Sequence, residues 1–91
     1  MNERCTIHFE GRVQGVGFRV TARHVASSFT GLSGWVRNEA DGSVMMVVEG
    51  EGADIQECLD ELRQRMGRNI VRERVEWDDA AGGFEGFEIR Y

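Results

Sequence analysis

The sequence predicts an α+β fold, a ferredoxin-like β-α-β-β-α-β sandwich in which two helices cover one face of an antiparallel sheet of four or five strands. Three observations predict it. Apolar residues alternate within several β-rich runs, they recur at steps of three and four in two other segments, and each of these helical segments has one apolar face to bury. The 91 residues suit a single domain, residues 1–91, without a linker or internal repeat.

The first strand and the first helix are predicted on either side of a glycine turn. Apolar and polar residues alternate from Arg4 to Val13, which indicates a half-buried strand. The helix that follows ends near Thr30-Gly31. His8 and His24 lie off the apolar faces, so we expect solvated side chains rather than catalytic ones. The apolar stripe of the helix consists of Phe18, Ala22, Val25, Ala26 and Phe29.

The middle of the chain predicts a hairpin. Two β-rich runs, Leu32 to Glu39 and Ser43 to Glu49, are separated by Ala40-Asp41-Gly42, and Asp-Gly between such runs is a strong hairpin signal. Asn38 therefore falls at the end of the first of these strands, next to the turn.

The last third predicts a helix and two strands. Residues 54–66 carry an apolar stripe, with acids early and arginines late, as the helix dipole favours. Ile70 to Trp77 is a strand whose charged residues are typical of a sheet edge. Residues 78–83 form a loop, and a short last strand follows in which Phe87, Ile89 and Tyr91 alternate.

Composition limits the class of protein. The chain has a net charge of -5, has no long apolar run and does not begin like a signal peptide, so we expect a cytoplasmic monomer that binds neither membrane nor nucleic acid. Cys5 and Cys58 are far apart and have no cysteine-histidine cluster beside them. Two buried free thiols are the expected state.

The stretch from Gly11 to Arg19 is typical of an anion-binding turn at the start of a helix. Gly15 and Gly17 allow several backbone N–H groups to point into one concavity, and the helix N-terminus adds partial positive charge. Arg19 falls in the first helical turn, where its guanidinium offers phosphate a planar fork of donors. A cation at a helix N-terminus interacts unfavourably with the helix dipole. An anion bound between the two would interact favourably with both.

The charges around this turn favour an anionic ligand. Residues 11–38 contain no acid although the whole chain is acidic. At physiological salt, exposed charges more than about 8 Å apart are largely screened, so an anion in the turn would respond mainly to the local arginines. Ordinary solvated surface is the alternative interpretation. The basic residues of this segment are Arg12, Arg19, Arg23 and Arg37.

These residues carry a resemblance to a known family. The run Gly11-Arg12-Val13-Gln14-Gly15-Val16-Gly17-Phe18-Arg19, with Gly34-Trp35-Val36-Arg37-Asn38 and the hairpin Asp41-Gly42-Ser43-Val44, closely resembles the acylphosphatase signatures. The likeness spans the whole chain. One departure is Met66-Gly67-Arg68-Asn69, where many relatives carry Gly-Pro, so the shape of that connection is open.

The resemblance implies an enzyme that needs no metal or other cofactor. It would hydrolyse a small-molecule acyl phosphate to a carboxylate and inorganic phosphate, the latter being both product and inhibitor. Arg19 would bind the phosphoryl group and Asn38 would position the attacking water. The alternative is a non-catalytic phosphate-binding or regulatory domain of the same fold. The implied phosphate cradle consists of Gln14, Gly15, Val16, Gly17, Phe18 and Arg19.

Two other classes share this element order. An RNA-recognition module would need stacking aromatic residues on its first and third strands, but Ser43 to Glu49 contains none. A metal-carrier domain would need a cysteine pair in its first loop, which is absent here.

Overall fold

The structure of the protein is a computed structural model, which describes residues 2–91. Two helices pack on a five-stranded, mostly antiparallel sheet, which is the predicted ferredoxin-like α+β arrangement. The elements in chain order are β1 (Asn2–Gly11), α1 (Phe18–Ser27), β2 (Ser33–Asn38), β3 (Val44–Glu51), α2 (Gly52–Met66), β4 (Ile70–Asp79) and β5 (Phe87–Arg90).

The strands lie in the order β4-β1-β3-β2-β5, so β4 is at an edge of the sheet, as predicted. The prediction of a wholly antiparallel sheet is wrong at β5, which pairs parallel to β2. β4 runs opposite to β1, whereas β2 runs in the same direction as β1 because both are antiparallel to β3. A chain that reverses after β4 must therefore run parallel to β2.

The core lies between the helices and one face of the sheet. Cys5, Ile7 and Phe9 of β1 stand opposite apolar residues of β3 and are completely buried. The predicted stripes of both helices cover them, and the Phe9 and Phe18 rings lie with centroids 4.9 Å apart. Such a pair stabilises a fold by about 0.5–1.5 kcal/mol beyond the area it buries.

Both cysteines are buried free thiols, as predicted. Desolvation raises the pKa of Cys5 to about 11 and that of Cys58 to about 12. Both thiols are therefore protonated at neutral pH, and neither is a nucleophile.

Several element ends differ from prediction by one or two residues. β1 ends at Gly11 rather than at Val13, because its register with β4 shifts after Glu10 and the Arg12 backbone N–H donates to the Asn69 carbonyl at 2.9 Å. Val13 is nevertheless buried. β4 continues to Asp79, where a loop was predicted. The connection after α2, Gly67–Asn69, forms one 3-10 turn without proline.

No helix among residues 2–91 combines the length and the apolar character needed to cross a membrane.

Candidate active site

The turn between β1 and α1 offers backbone N–H groups that have no partner among residues 2–91. Gly15 and Gly17 have φ values of +75° and +80°, a left-handed conformation that glycine adopts without strain. A Cβ at either position would meet nothing within 4 Å, so the backbone conformation, rather than crowding, requires glycine. Among residues 2–91, no hydrogen bond is donated by the backbone N–H groups of residues 15–19. These donors are available to a ligand.

Arg19 stands in the first turn of α1 without a carboxylate beside it. Gly17 caps this helix without a side-chain hydrogen bond, and its first turn contains no acid. Within the described chain, Arg19 takes part in no ion pair, whereas Arg37 pairs with Glu39 at 2.9 Å. Among residues 2–91, the Arg19 charge is therefore in no ion pair, and no acidic side chain of the first turn offsets the positive end of the helix dipole.

Asn38 is the last residue of β2 and stands opposite Val44 of β3. It belongs to the same face of the sheet as the buried Val36, two positions earlier. Its Oδ1 atom is buried and accepts no hydrogen bond from residues 2–91. A buried acceptor without a partner costs about 1–3 kcal/mol. A water molecule that donates to Oδ1 would remove this cost.

The side chain of Gln14 joins the glycine turn to the hairpin that follows Asn38. Its Nε2 donates to the backbone carbonyl of Glu39 at 2.8 Å and to that of Ser43 at 2.9 Å. Both N–H groups of this amide are therefore used inside the protein. The side chain of this predicted cradle residue offers no free donor to phosphate; its contact instead brings the turn next to the strand end that carries Asn38.

The other predicted cradle residues differ in what they offer. The Phe18 ring is buried against Phe9, so this residue can contribute only its backbone N–H to a ligand. Val16 is an exposed side chain at the tip of the turn. The predicted cradle thus consists mainly of backbone N–H groups, and Arg19 is the one charged side chain among its residues.

Sequence reasoning missed one neighbour of Arg19, the ring of Tyr91. The structure places the Arg19 Cζ atom 5.1 Å from the centroid of the Tyr91 ring. Alternation assigned Tyr91 to the last strand, and no local pattern indicates a contact with residue 19. It actually follows β5, which ends at Arg90.

A cavity of about 190 Å³ lies beside the hairpin but does not suit an anion. Its only charged lining residues are the acids Glu10 and Asp41, which would repel phosphate. Among residues 2–91, no three His, Cys, Asp or Glu side chains are grouped so as to hold a metal ion.

Comparison with known proteins identifies the family of the chain. The acylphosphatase family pattern matches residues 5–89. Acylphosphatases of Salinibacter ruber and Aeropyrum pernix are 40% and 47% identical to the chain, each over 97% of it and over 93% and 88% of their own lengths. The crystal structure of acylphosphatase from Bacillus subtilis superposes with a TM-score of 0.85 at 29% identity, covering 98% of this chain and 99% of that one. These likenesses do not favour a non-catalytic binding domain, and they show that the chain belongs to the acylphosphatase family.

Proposed function

We propose that this acylphosphatase hydrolyses a small acyl phosphate, with the phosphoryl group held by Arg19 and the turn, and with the attacking water aimed by Asn38. One observation carries the proposal. Among residues 2–91, an arginine that is in no ion pair shares the first turn of a helix with backbone N–H groups that donate no hydrogen bond, and no acid lies in that turn. The site is therefore complementary to a compact anion of high charge.

Phosphate suits these donors in charge and in shape. Charge-assisted hydrogen bonds to a phosphoryl oxygen are roughly twice as strong as neutral ones, and a guanidinium can donate two in parallel. The N–H groups of residues 15–19 would bind the remaining oxygens, as at other helix N-termini. Phosphoryl transfer proceeds through a loose transition state that mainly requires positioning and donors on the equatorial oxygens.

The leaving group makes a general acid unnecessary. A carboxylate has a conjugate-acid pKa of about 4–5, so it departs from phosphorus as an anion at neutral pH. The water oxygen forms a bond to phosphorus while the bond between phosphorus and the acyl oxygen breaks, and the electron pair of that bond leaves with the carboxylate. The products are the carboxylate and inorganic phosphate.

Asn38 would orient the water without acting as a base. A neutral amide does not accept a proton at pH 7, but it accepts and donates hydrogen bonds. Its buried Oδ1 has no partner among residues 2–91 and can accept one hydrogen bond from the water. The proton of the attacking water then passes to a phosphoryl oxygen of the substrate, because the motif contains neither a carboxylate nor a histidine.

The test is phosphate release from benzoyl phosphate by the wild type and by Arg19→Ala, each with and without a chelator. Loss of a transition-state donor predicts a decrease in rate of at least about two orders of magnitude for Arg19→Ala. Arg23→Ala is the matched control, because Arg23 is an exposed arginine of the same helix. The chelator should leave the wild-type rate unchanged.

Two results would contradict the proposal. An Arg19→Ala rate within tenfold of the wild type would show that Arg19 is not the phosphate ligand on which the reaction depends. A wild-type rate that the chelator abolishes would require a metal ion.

A further inference from the structure

Two basic segments of the chain meet beside the candidate site. Residues 11–38 and residues 62–72 contain no Asp or Glu, and each holds four arginines, together eight of the eleven basic residues of this acidic chain. The segments touch where the Arg12 backbone N–H donates to the Asn69 carbonyl at 2.9 Å. Their backbones are packed closely there, because a Cβ on Gly11 would clash with the same carbonyl oxygen. Positive charge from a second part of the chain is thus brought next to the glycine turn.

Arg12 and Arg68 are the arginines at this junction that have no acidic partner. Both side chains are exposed, and among residues 2–91 neither takes part in an ion pair or a ring contact. Arg72, by contrast, lies 3.7 Å from a carboxylate oxygen of Glu10. The charges of the two unpaired arginines are therefore available to an anion from outside the protein.

The chain limits how far these arginines lie from the predicted cradle. Arg12 precedes Gly15 by three residues, so the two Cα atoms are at most about 11 Å apart. Arg68 directly precedes Asn69, so the hydrogen bond to Arg12 keeps the Cα atoms of the two arginines within about 11 Å of each other. Flexible arginine side chains can shorten both distances. A ligand that holds a phosphoryl group in the cradle can therefore carry a second group to these guanidinium groups.

The acids nearest to the junction leave this charge in excess. Glu10 lies 3.7 Å from Arg72 and 3.6 Å from Arg74, so its charge is already offset. Asp41 lines the cavity beside the hairpin, whereas Arg68 belongs to the connection between α2 and β4. An anion is thus expected on the side of that connection rather than on the side of the hairpin.

We propose that Arg12 and Arg68 form a second anion-binding subsite, which takes a negatively charged group at the far end of the acyl moiety. The inference rests on the proposed function and narrows its substrate class to acyl phosphates whose acyl group carries its own negative charge. The second group takes no part in bond breaking. It adds binding energy remote from the reacting phosphorus, through guanidinium forks that match the geometry of a carboxylate or a phosphate.

The experiment uses stable phosphonates as competitive inhibitors of benzoyl phosphate hydrolysis. Phosphonates with two to six methylene groups that end in a methyl group are compared with phosphonates of the same length that end in a carboxylate. In the wild type, at least one length should bind more tightly with the carboxylate, by up to about fivefold for each arginine, as for an exposed ion pair. Added salt should reduce this preference, because exposed charges are screened.

Substitution of the arginines tests whether they cause the preference. Arg12→Gln and Arg68→Gln should each reduce it, and the double variant should abolish it. Both residues are exposed and unpaired among residues 2–91, so Tm should not change. The inhibition constant of inorganic phosphate and kcat for benzoyl phosphate should stay within about twofold of the wild type, because the cradle and Arg19 are intact.

Arg23→Gln is the control with the same change of charge. Arg23 is also exposed and is in no ion pair among residues 2–91, but it lies within α1 rather than beside Asn69. This variant should keep the full preference for the carboxylate.

The inference is overturned if no chain length gains affinity from a carboxylate in the wild type, or if the double variant keeps that gain. It is also overturned if Arg23→Gln reduces the gain as much as Arg12→Gln does. Equal losses of affinity for inorganic phosphate and for the carboxylate compounds would overturn it too, since the arginines would then attract every anion alike. All of these outcomes leave the proposed function intact, because that function is tested by the rate of Arg19→Ala with benzoyl phosphate.

Discussion

Replacing Gln14 by leucine should weaken both the fold and the reaction, because its amide joins the glycine turn to the hairpin. The substitution removes two hydrogen bonds, of 2.8 Å to the Glu39 carbonyl and 2.9 Å to the Ser43 carbonyl. Both carbonyls keep a backbone partner, since Gly42 N–H donates to Glu39 and Glu39 N–H donates to Ser43. Neither oxygen is left unpaired, so the penalty for a buried orphan group does not apply.

The expected loss is that of two neutral hydrogen bonds, about 2 kcal/mol in the free energy of unfolding. For a domain of this size each kcal/mol corresponds to about 4–8 °C in Tm, so Gln14→Leu should unfold about 8–16 °C below the wild type. The turn also loses its connection to the strand end that carries Asn38. Because a displacement of about 1 Å in a site can cost 100-fold in rate, we expect kcat to fall about 10- to 100-fold.

The assay pairs denaturant and thermal unfolding with the kinetics of benzoyl phosphate hydrolysis. Gln64→Leu is the control, since Gln64 is an exposed glutamine of α2 and should change stability by less than about 0.5 kcal/mol. Gln14→Glu keeps the shape of the side chain but places a carboxylate, which cannot donate a hydrogen bond, against two carbonyl oxygens. It should therefore lower Tm and kcat at least as much as Gln14→Leu does. If both Gln14 variants keep the Tm and kcat of the control, the amide does not hold the site together.

Two other perturbations test the site and the sheet. Asn38→Ala should lower kcat at least tenfold and leave the phosphate inhibition constant within about twofold, because the amide is assigned to the water; equal losses in both constants would contradict this assignment. Burial alone would raise the pKa of Glu49, but hydrogen bonds from the Ala81 N–H, the Arg4 guanidinium and the Gly82 N–H outweigh it and lower the pKa. The stability that Glu49 contributes is therefore present above the pKa of an unfolded carboxyl and is lost as the pH falls through the lower native value. Between about pH 6 and about pH 3 the Tm of Glu49→Gln should fall less than that of the wild type, and an equal or larger fall would show that Glu49 is not the linked group.

The sequence alone predicted the elements of the fold and a glycine turn suited to an anion. Alternation from Arg4 onward, the helical stripe after Phe18 and the Asp41-Gly42 turn predicted β1, α1 and the hairpin; most ends were wrong by one or two residues, and α1 ends at Ser27 rather than near Thr30-Gly31. The glycine turn with Arg19 was equally recognisable, and the structure places it at the start of a helix, where its N–H groups donate no hydrogen bond to residues 2–91. These features depend on backbone conformations and side-chain periods among residues a few positions apart, which a sequence displays directly.

Only the tertiary structure decided how these parts meet. The parallel direction of β5, the Gln14 amide on carbonyls 25 and 29 residues away, and the Tyr91 ring against Arg19 all join distant parts of the chain. Alternation is the same for parallel and antiparallel strands, and a glutamine or a tyrosine carries no local sign of the partner it will meet. The sequence thus predicted an anion-binding turn, whereas only the tertiary structure showed that Gln14 contacts the hairpin and that Arg19 contacts Tyr91.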